Sequence, residues 1–91
     1  NWNVVQYAVL IHMLAQVCDM VPGELVHVIS DAHIYDRHVD IVREMIERPQ
    51  YPAPIFRLNP EIKDFYEFTT KDITIENYRK NPQIKDIPVA I

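Results

Sequence analysis

The sequence predicts a mixed fold of helices and strands, α+β or α/β, in which a long buried helix lies beside strands of a mixed sheet. Three observations predict this class. Twelve of the fifteen residues from 4 to 18 are apolar, which is typical of a helix buried on every side. Residues 25–35 alternate between two faces as a strand does, and six of the seven prolines lie at position 49 or later, which favours short extended segments there.

The first helix is expected to begin with Asn3 as its N-cap and to end near Asp19. Pro22-Gly23 then fits the centre of a type II turn, in which glycine supplies a positive φ. The only polar residues between positions 4 and 18 are Gln6, His12 and Gln16, so no wide polar face remains. Since a chain of 91 residues has little else with which to cover such a helix, we expect it to be part of a larger subunit.

The remaining elements follow in order along the chain. Residues 25–35 are predicted as a strand, and residues 36–48 as an amphipathic helix with Asp36 at its N-cap and Pro49 at its end. Residues 55–58 and 73–78 are predicted as short strands. Between them, Asn59-Pro60-Glu61 fits an N-cap followed by proline at the first position of a short helix.

Composition excludes several classes of protein. Nine Lys and Arg against thirteen Asp and Glu give a net charge of −4, which argues against binding to nucleic acid. No run of 18 apolar residues and no signal-peptide pattern occurs, so we expect neither a membrane span nor a membrane partner. A single cysteine excludes a disulfide framework. A soluble protein of a reducing compartment, the cytoplasm, is the expectation.

The cysteine and the histidines are the first candidates for chemistry. A catalytic thiol needs a cation, a helix N-terminus or a paired histidine, whereas Cys18 falls at the predicted end of a helix beside Asp19, so we expect it to be a small buried apolar residue. Asp31, His33 and His38 lie close in sequence but match no compact ligand pattern, and no metal site is expected.

The end of the predicted strand carries the more specific pattern. At a period of two residues, His33 and Tyr35 point the same way about 7 Å apart, so an imidazole N–H and a phenol O–H could converge on one polar group. Two such donors suit a sugar hydroxyl. The alternative, that both side chains satisfy local backbone groups, remains open.

Several motifs together resemble the carboxy-terminal part of thymidylate synthase, over essentially all of residues 1–91. They are Asn3, Gln6-Tyr7-Ala8, His12-Met13-Leu14-Ala15-Gln16, Pro22-Gly23-Glu24, Asp31-Ala32-His33-Ile34-Tyr35 with His38, and the ending Pro88-Val89-Ala90-Ile91. The resemblance implies a segment of a homodimeric methyltransferase of α/β subunits. This family converts dUMP to dTMP and uses 5,10-methylenetetrahydrofolate as carbon donor and reductant.

The resemblance also implies roles for individual residues. Asn3 matches the asparagine that binds the pyrimidine of dUMP, and His33 and Tyr35 match the pair that binds the 3′-hydroxyl of its sugar. Ala90 and Ile91 match the tail that closes over the folate. A carboxylate at position 3 would instead suit cytosine, as in the related dCMP hydroxymethylases.

The family's nucleophilic cysteine and phosphate-binding arginines match no position of this chain, so the resemblance implies that they lie upstream of residue 1 and that the 91 residues alone are inactive. The remainder of the subunit is then a required partner. Two alternatives stay open: a non-catalytic binding or assembly module of the same ancestry, and a segment of a hydroxymethylase.

Overall fold

The computed structural model describes residues 2–90. Two α-helices and two β-strands occur in the order α1 (Trp2–Val17), α2 (Val39–Glu47), β1 (Ile55–Leu58) and β2 (Ile73–Glu76), with short 3-10 turns at Asp36–His38, Phe65–Glu67 and Thr70–Asp72. The predicted class, a mixture of helix and sheet, is confirmed.

Helix α1 begins at Trp2, so Asn3 lies within its first turn and the prediction of Asn3 as N-cap is wrong. The helix ends in a Schellman motif: the Met20 N–H donates to the Ala15 carbonyl at 2.7 Å, and Asp19 takes a left-handed φ of 55°. Asp19 therefore makes the reversal that the sequence assigned to Gly23, whose φ is not positive. The predicted type II turn at Pro22-Gly23 is wrong, because the chain reverses direction at Asp19 instead.

The apolar surface of α1 is largely uncovered within this chain. Ala15 is the only buried apolar residue among residues 2–90, and Trp2 is 83% exposed. The radius of gyration is 16.9 Å, whereas a compact domain of this length has about 12 Å. The helix predicted to be buried thus meets too little of its own chain to be covered by it.

Residues 20–35 run without regular structure, and the predicted strand at 25–35 is not formed within the described part of the chain. A strand needs a hydrogen-bonded neighbour, and the described sheet contains β1 and β2 alone. Val26 and Val28 on the apolar face of this segment are 77% and 82% exposed. The alternating pattern of residues 25–35 is therefore not accompanied by a partner strand or by a packed apolar face within the described residues.

Helix α2 is preceded by the 3-10 turn Asp36–His38. The N-cap of the turn is Tyr35 and that of α2 is His38, so the prediction of Asp36 as N-cap is wrong. The helix ends before Pro49 as predicted, one residue earlier than expected: α2 stops at Glu47, and Arg48 has extended backbone angles of φ −68° and ψ 144°.

Strands β1 and β2 form an antiparallel hairpin with Ile55 opposite Glu76 and Leu58 opposite Ile73. Strand β1 matches its prediction, and β2 ends at Glu76, two residues early, because Asn77 turns the chain with a φ of 57°. The helix predicted from Asn59 is wrong: its Oδ1 accepts from the Glu61 N–H at 3.1 Å, which makes a turn instead.

A polar network closes the base of the hairpin. The Asp72 carboxylate accepts from Asn59 Nδ2 at 2.9 Å and from the Thr69 N–H and hydroxyl at 2.7 and 2.8 Å. These hydrogen bonds, that of the Asn59 side chain first, hold the pKa of Asp72 below its usual value of 3.8. Helix α1 packs on the hairpin through the rings of His12 and Phe56, whose centroids are 4.8 Å apart.

Residues 79–90, here called the tail, contain no regular structure and return from the hairpin toward α2. Asn81 Nδ2 donates to the Pro49 carbonyl at 3.1 Å, and Arg48 Nη1 donates to the Pro82 carbonyl at 2.7 Å. Farther along, the contacts of the tail are with the 3-10 turn in front of α2. The tail therefore runs back along α2 from its end to its beginning.

Candidate functional site

Three aromatic side chains gather where the extended segment meets the 3-10 turn. The rings of His33 and Tyr35 have centroids 5.0 Å apart and meet edge to face at 85°, and those of Tyr35 and His38 are 5.7 Å apart at 88°. Tyr35 has extended angles of φ −70° and ψ 145°. That extension brings residue 33 beside residue 35, and the following turn returns His38 to the same ring.

The hydrogen bonding of His33 decides what this cluster offers. Its Nδ1 lies 2.9 Å from the Asp31 carbonyl oxygen, which can only accept, so Nδ1 carries a proton. In the neutral ring, Nε2 is then an acceptor. The expectation of two converging donors changes to one acceptor, His33 Nε2, and one donor, the Tyr35 hydroxyl, for which residues 2–90 provide no partner.

The end of the tail lies against the same turn. His38 Nε2 is 2.7 Å from the Pro88 carbonyl oxygen, and Arg37 Nη1 donates to the Val89 carbonyl at 3.3 Å. Ala90, the next residue, is half-buried. Ile91, the other residue predicted to meet the folate, lies outside the described residues. The structure thus joins the predicted sugar-binding pair to the end of the tail through His38.

Asn3 lies in a different groove. It lines a space of about 280 Å³ together with Tyr7, Leu25 and His27. His33 and Tyr35 are not among the residues that line it. Within the described part of the chain, the structure therefore brings together His33, Tyr35 and the tail, whereas Asn3, on the first turn of α1, lines a groove that these residues do not line.

The other candidates differ from their expected surroundings. Cys18 is exposed, so the prediction of a buried cysteine is wrong for this chain, because the end of α1 is uncovered. His12 contacts Phe56 and is half-buried. Among residues 2–90, no group of three His, Cys, Asp or Glu side chains is arranged to hold a metal ion. No helix in that range is long and apolar enough to cross a membrane.

Sequence reasoning missed the contacts that Arg37 and His38 make with the tail. Residue pairs 37 and 89, and 38 and 88, are separated by 52 and 50 positions. The acceptors are backbone carbonyls, which leave no trace in side-chain pattern. The one available signal was the basic pair Arg37-His38, which follows the Asp31–Tyr35 motif after one intervening residue, Asp36.

Comparison with known proteins gives consistent results. The model of the thymidylate synthase family matches residues 1–91. The bifunctional dihydrofolate reductase-thymidylate synthase of Plasmodium chabaudi is 40% identical over 83 residues, which cover 91% of this chain and 14% of that protein. The solved structure of thermostable thymidylate synthase A from Bacillus subtilis superposes with a TM-score of 0.86 at 44% identity, covering 90% of this chain and 30% of the other.

The chain thus spans less than a third of the length of either relative. The family model nevertheless matches the whole sequence, and the two relatives cover about nine tenths of it. The chain belongs to the thymidylate synthase family.

Proposed function

We propose that this chain supplies part of the nucleotide site and the folate-closing tail of a thymidylate synthase, a cytoplasmic homodimer that methylates dUMP to dTMP. Residues 1–91 are then the carboxy-terminal part of the synthase domain and not an independent domain. The observation that supports this most directly is the contact chain from His33 and Tyr35 through His38 to the Pro88 carbonyl.

In this proposal, His33 and Tyr35 bind the 3′-hydroxyl of dUMP. A hydroxyl group donates one hydrogen bond and accepts others. His33 Nε2 accepts a hydrogen bond from the hydroxyl, because Nδ1 donates to the Asp31 carbonyl at 2.9 Å. The Tyr35 hydroxyl donates to the same oxygen. The pair is therefore complementary to a hydroxyl and poorly suited to a carboxylate, which offers no proton.

Asn3 reads the pyrimidine. Its side-chain amide can accept from the uracil N3–H and donate to O4 at the same time, whereas cytosine presents the opposite pattern. Its place in an open groove beside Tyr7 and His27 is compatible with a planar ring. An asparagine at position 3 thus favours dUMP over dCMP.

The end of the tail closes over 5,10-methylenetetrahydrofolate, which when bound supplies both the one-carbon unit and the hydride. The residues present fit such a group, since Ala90 is small, half-buried and adjacent to two fixed carbonyls. A small apolar residue allows a flat aromatic ring to approach closely. Ala90 and Ile91 exclude water from the site when the tail is in place.

The chemical step needs a nucleophile that this chain does not supply in our proposal. Cys18, its single cysteine, lies just after the carboxyl end of α1, where the helix dipole disfavours a thiolate. The uncovered surface of α1 and the radius of gyration of 16.9 Å also support a segment that requires the remainder of its subunit. We therefore expect the 91 residues alone to be inactive.

The experiment is an assay of the full-length protein that carries this segment, with dUMP or dCMP and 5,10-methylenetetrahydrofolate. Formation of dTMP together with dihydrofolate, followed by absorbance and chromatography, is the expected result. Turnover of dCMP without dihydrofolate would identify a hydroxymethylase. Nucleotide binding with no turnover of either substrate would identify a binding module.

A further inference from the structure

The tail is held by side chains and not by a backbone ladder. Within residues 2–90, no backbone-to-backbone hydrogen bond outside the helices and strands involves residues 79–90. Extended backbone that is neither in a sheet nor capped has no intrinsic preference for one path. Whatever fixes the path of this tail must therefore come from the element beside it.

Three basic side chains on that element donate to carbonyls of the tail, and we call them the tail clamp: Arg37, His38 and Arg48. Arg48 holds the Pro82 carbonyl at 2.7 Å, and its Nη2 is braced by Glu44 at 2.7 Å. At the other end, His38 holds the Pro88 carbonyl at 2.7 Å and Arg37 the Val89 carbonyl at 3.3 Å. Because a carbonyl only accepts, His38 Nε2 must carry a proton.

The distance between the two ends of the clamp is close to the length of the tail segment that joins them. From residue 38 to residue 48 a helix rises about 15 Å, whereas six residues of extended chain reach at most about 20 Å. Residues 82–88 can therefore bridge the clamp with little slack. Asp86 interrupts the extended backbone with a φ of 55°, which shortens the reach of this segment. Aspartate tolerates this angle better than most residues.

We propose that Arg37 and His38 are positioning residues that set the resting place of the tail, and so the affinity of the enzyme for its folate substrate. This inference rests on the proposed function, because it requires Ala90 and Ile91 to close over the folate. The hydrogen bonds from the clamp to the tail all go to backbone carbonyls. They fix the backbone next to Ala90 and leave its side chain free to meet the folate.

A positioning role and a purely structural role of His38 predict different effects on the binding of folate and of nucleotide. His38 also touches the Tyr35 ring, so a purely structural role would disturb dUMP and folate binding together. A positioning role through the tail would raise the KM for folate alone. His38→Gln is the conservative variant, because its Nε2 can donate to the Pro88 carbonyl as the imidazole does.

The test uses the full-length protein with His38→Ala, His38→Gln and Arg37→Ala. Arg43→Ala is the matched control, since Arg43 lies on α2, is 74% exposed, and meets only Asp40 at 3.6 Å within the described residues. The readouts are the KM for 5,10-methylenetetrahydrofolate, the Kd for dUMP, and the rate of tryptic cleavage after Lys85 in the tail, followed by mass spectrometry. Cleavage needs no activity, so it tests the clamp even if the proposed function fails.

For His38→Ala we expect about a tenfold rise in the KM for folate and about tenfold faster tryptic cleavage after Lys85, with the Kd for dUMP within about twofold. His38→Gln should restore most of both effects, Arg37→Ala should give a smaller effect because its bond is longer, and Arg43→Ala should give none. In a variant that ends at Ile87, His38→Ala should raise the KM no further.

Equal losses of folate and dUMP affinity in His38→Ala would overturn the proposal, as would an unchanged rate of tryptic cleavage after Lys85. An undiminished effect of His38→Ala in the variant that ends at Ile87 would overturn it too. A wild-type protein with no synthase activity, but with tail cleavage that depends on His38, would refute the proposed function and keep the clamp.

Discussion

The hairpin of β1 and β2 and the region formed by α1 and residues 20–35 use similar apolar residues with opposite results. In the hairpin, each strand pairs with the other, and Asn59, Thr69 and Asp72 satisfy one another at its base. In the other region, residues 20–35 pair with no strand among the described residues, and Val28 is 82% exposed, whereas Ile55 and Ile75 of the hairpin are 41% and 51% exposed. The comparison teaches that one part of this segment carries its own partners, whereas the other is shaped for partners outside it.

The largest expected effect tests that difference by hydrogen exchange in the isolated 91 residues and in the full-length protein. We expect amides of residues 25–35 to gain protection on the order of 1000-fold in the full-length protein, because their hydrogen bonds then open only with substantial unfolding. Amides of β1 and β2 should gain much less. An equal gain in both regions would contradict the comparison.

A second prediction concerns Asn3, which lies in the uncovered region. In the full-length protein, Asn3→Asp should shift the ratio of kcat/KM for dUMP over dCMP on the order of 100-fold toward dCMP, because the hydrogen-bonding pattern is partly inverted. Competition between the two nucleotides measures the ratio. Gln6→Glu on the same helix controls for added charge, and unchanged discrimination in Asn3→Asp would refute the assignment.

A third prediction concerns the hydrogen bonds that link α1 to the hairpin. Gln16 Nε2 donates to the Asn59 and Ile62 carbonyls at 2.8 and 2.9 Å, so one side chain ties α1 to the loop after β1. Gln16→Ala should lower the free energy of unfolding of the full-length protein by about 2 kcal/mol, because both carbonyls lose their donor. Denaturant titration measures this, with the exposed Gln6→Ala as control. Equal effects of the two variants would show that the tie is unimportant.

The smallest effect is expected at the base of the hairpin. Because hydrogen bonds lower the native pKa of Asp72 below 3.8, its contribution to stability is complete above that pH and is lost as the pH falls through the lowered value. Asp72→Asn should therefore cost stability at pH 6 and progressively less below pH 3.8. Asp40→Asn, at a side chain 95% exposed, controls for the loss of one carboxylate. A constant difference between wild type and Asp72→Asn across this range would exclude the explanation.

Local signals in the sequence predicted some of the local elements and missed others. Pro49 ended α2 as expected because the residue before proline avoids helical angles, and β1 occupies its predicted residues. Asn59 was misassigned because an asparagine before proline suits a turn as well as a helix cap. Gly23 was misassigned because Asp19 makes the reversal four residues earlier.

The candidate site was predictable only in part, because sequence patterns report on contacts between residues close in sequence and not on distant ones. His33 and Tyr35 lie two residues apart, so extended backbone alone makes them neighbours. The contacts of Arg37 and His38 with the tail join residues about 50 positions apart through backbone carbonyls, which no side-chain pattern encodes. The tautomer of His33 was likewise not predictable, because it depends on a hydrogen bond to the backbone carbonyl of Asp31.

The central claim, that this segment binds the sugar of dUMP, is tested most directly by comparing dUMP with 2′,3′-dideoxyuridine monophosphate, which lacks the 3′-hydroxyl. In the full-length protein, removing the hydroxyl should lower kcat/KM by about tenfold or more. In Tyr35→Phe that penalty should largely disappear, and in Tyr66→Phe, at a residue 92% exposed, it should remain. The same penalty in wild type and Tyr35→Phe would contradict the account.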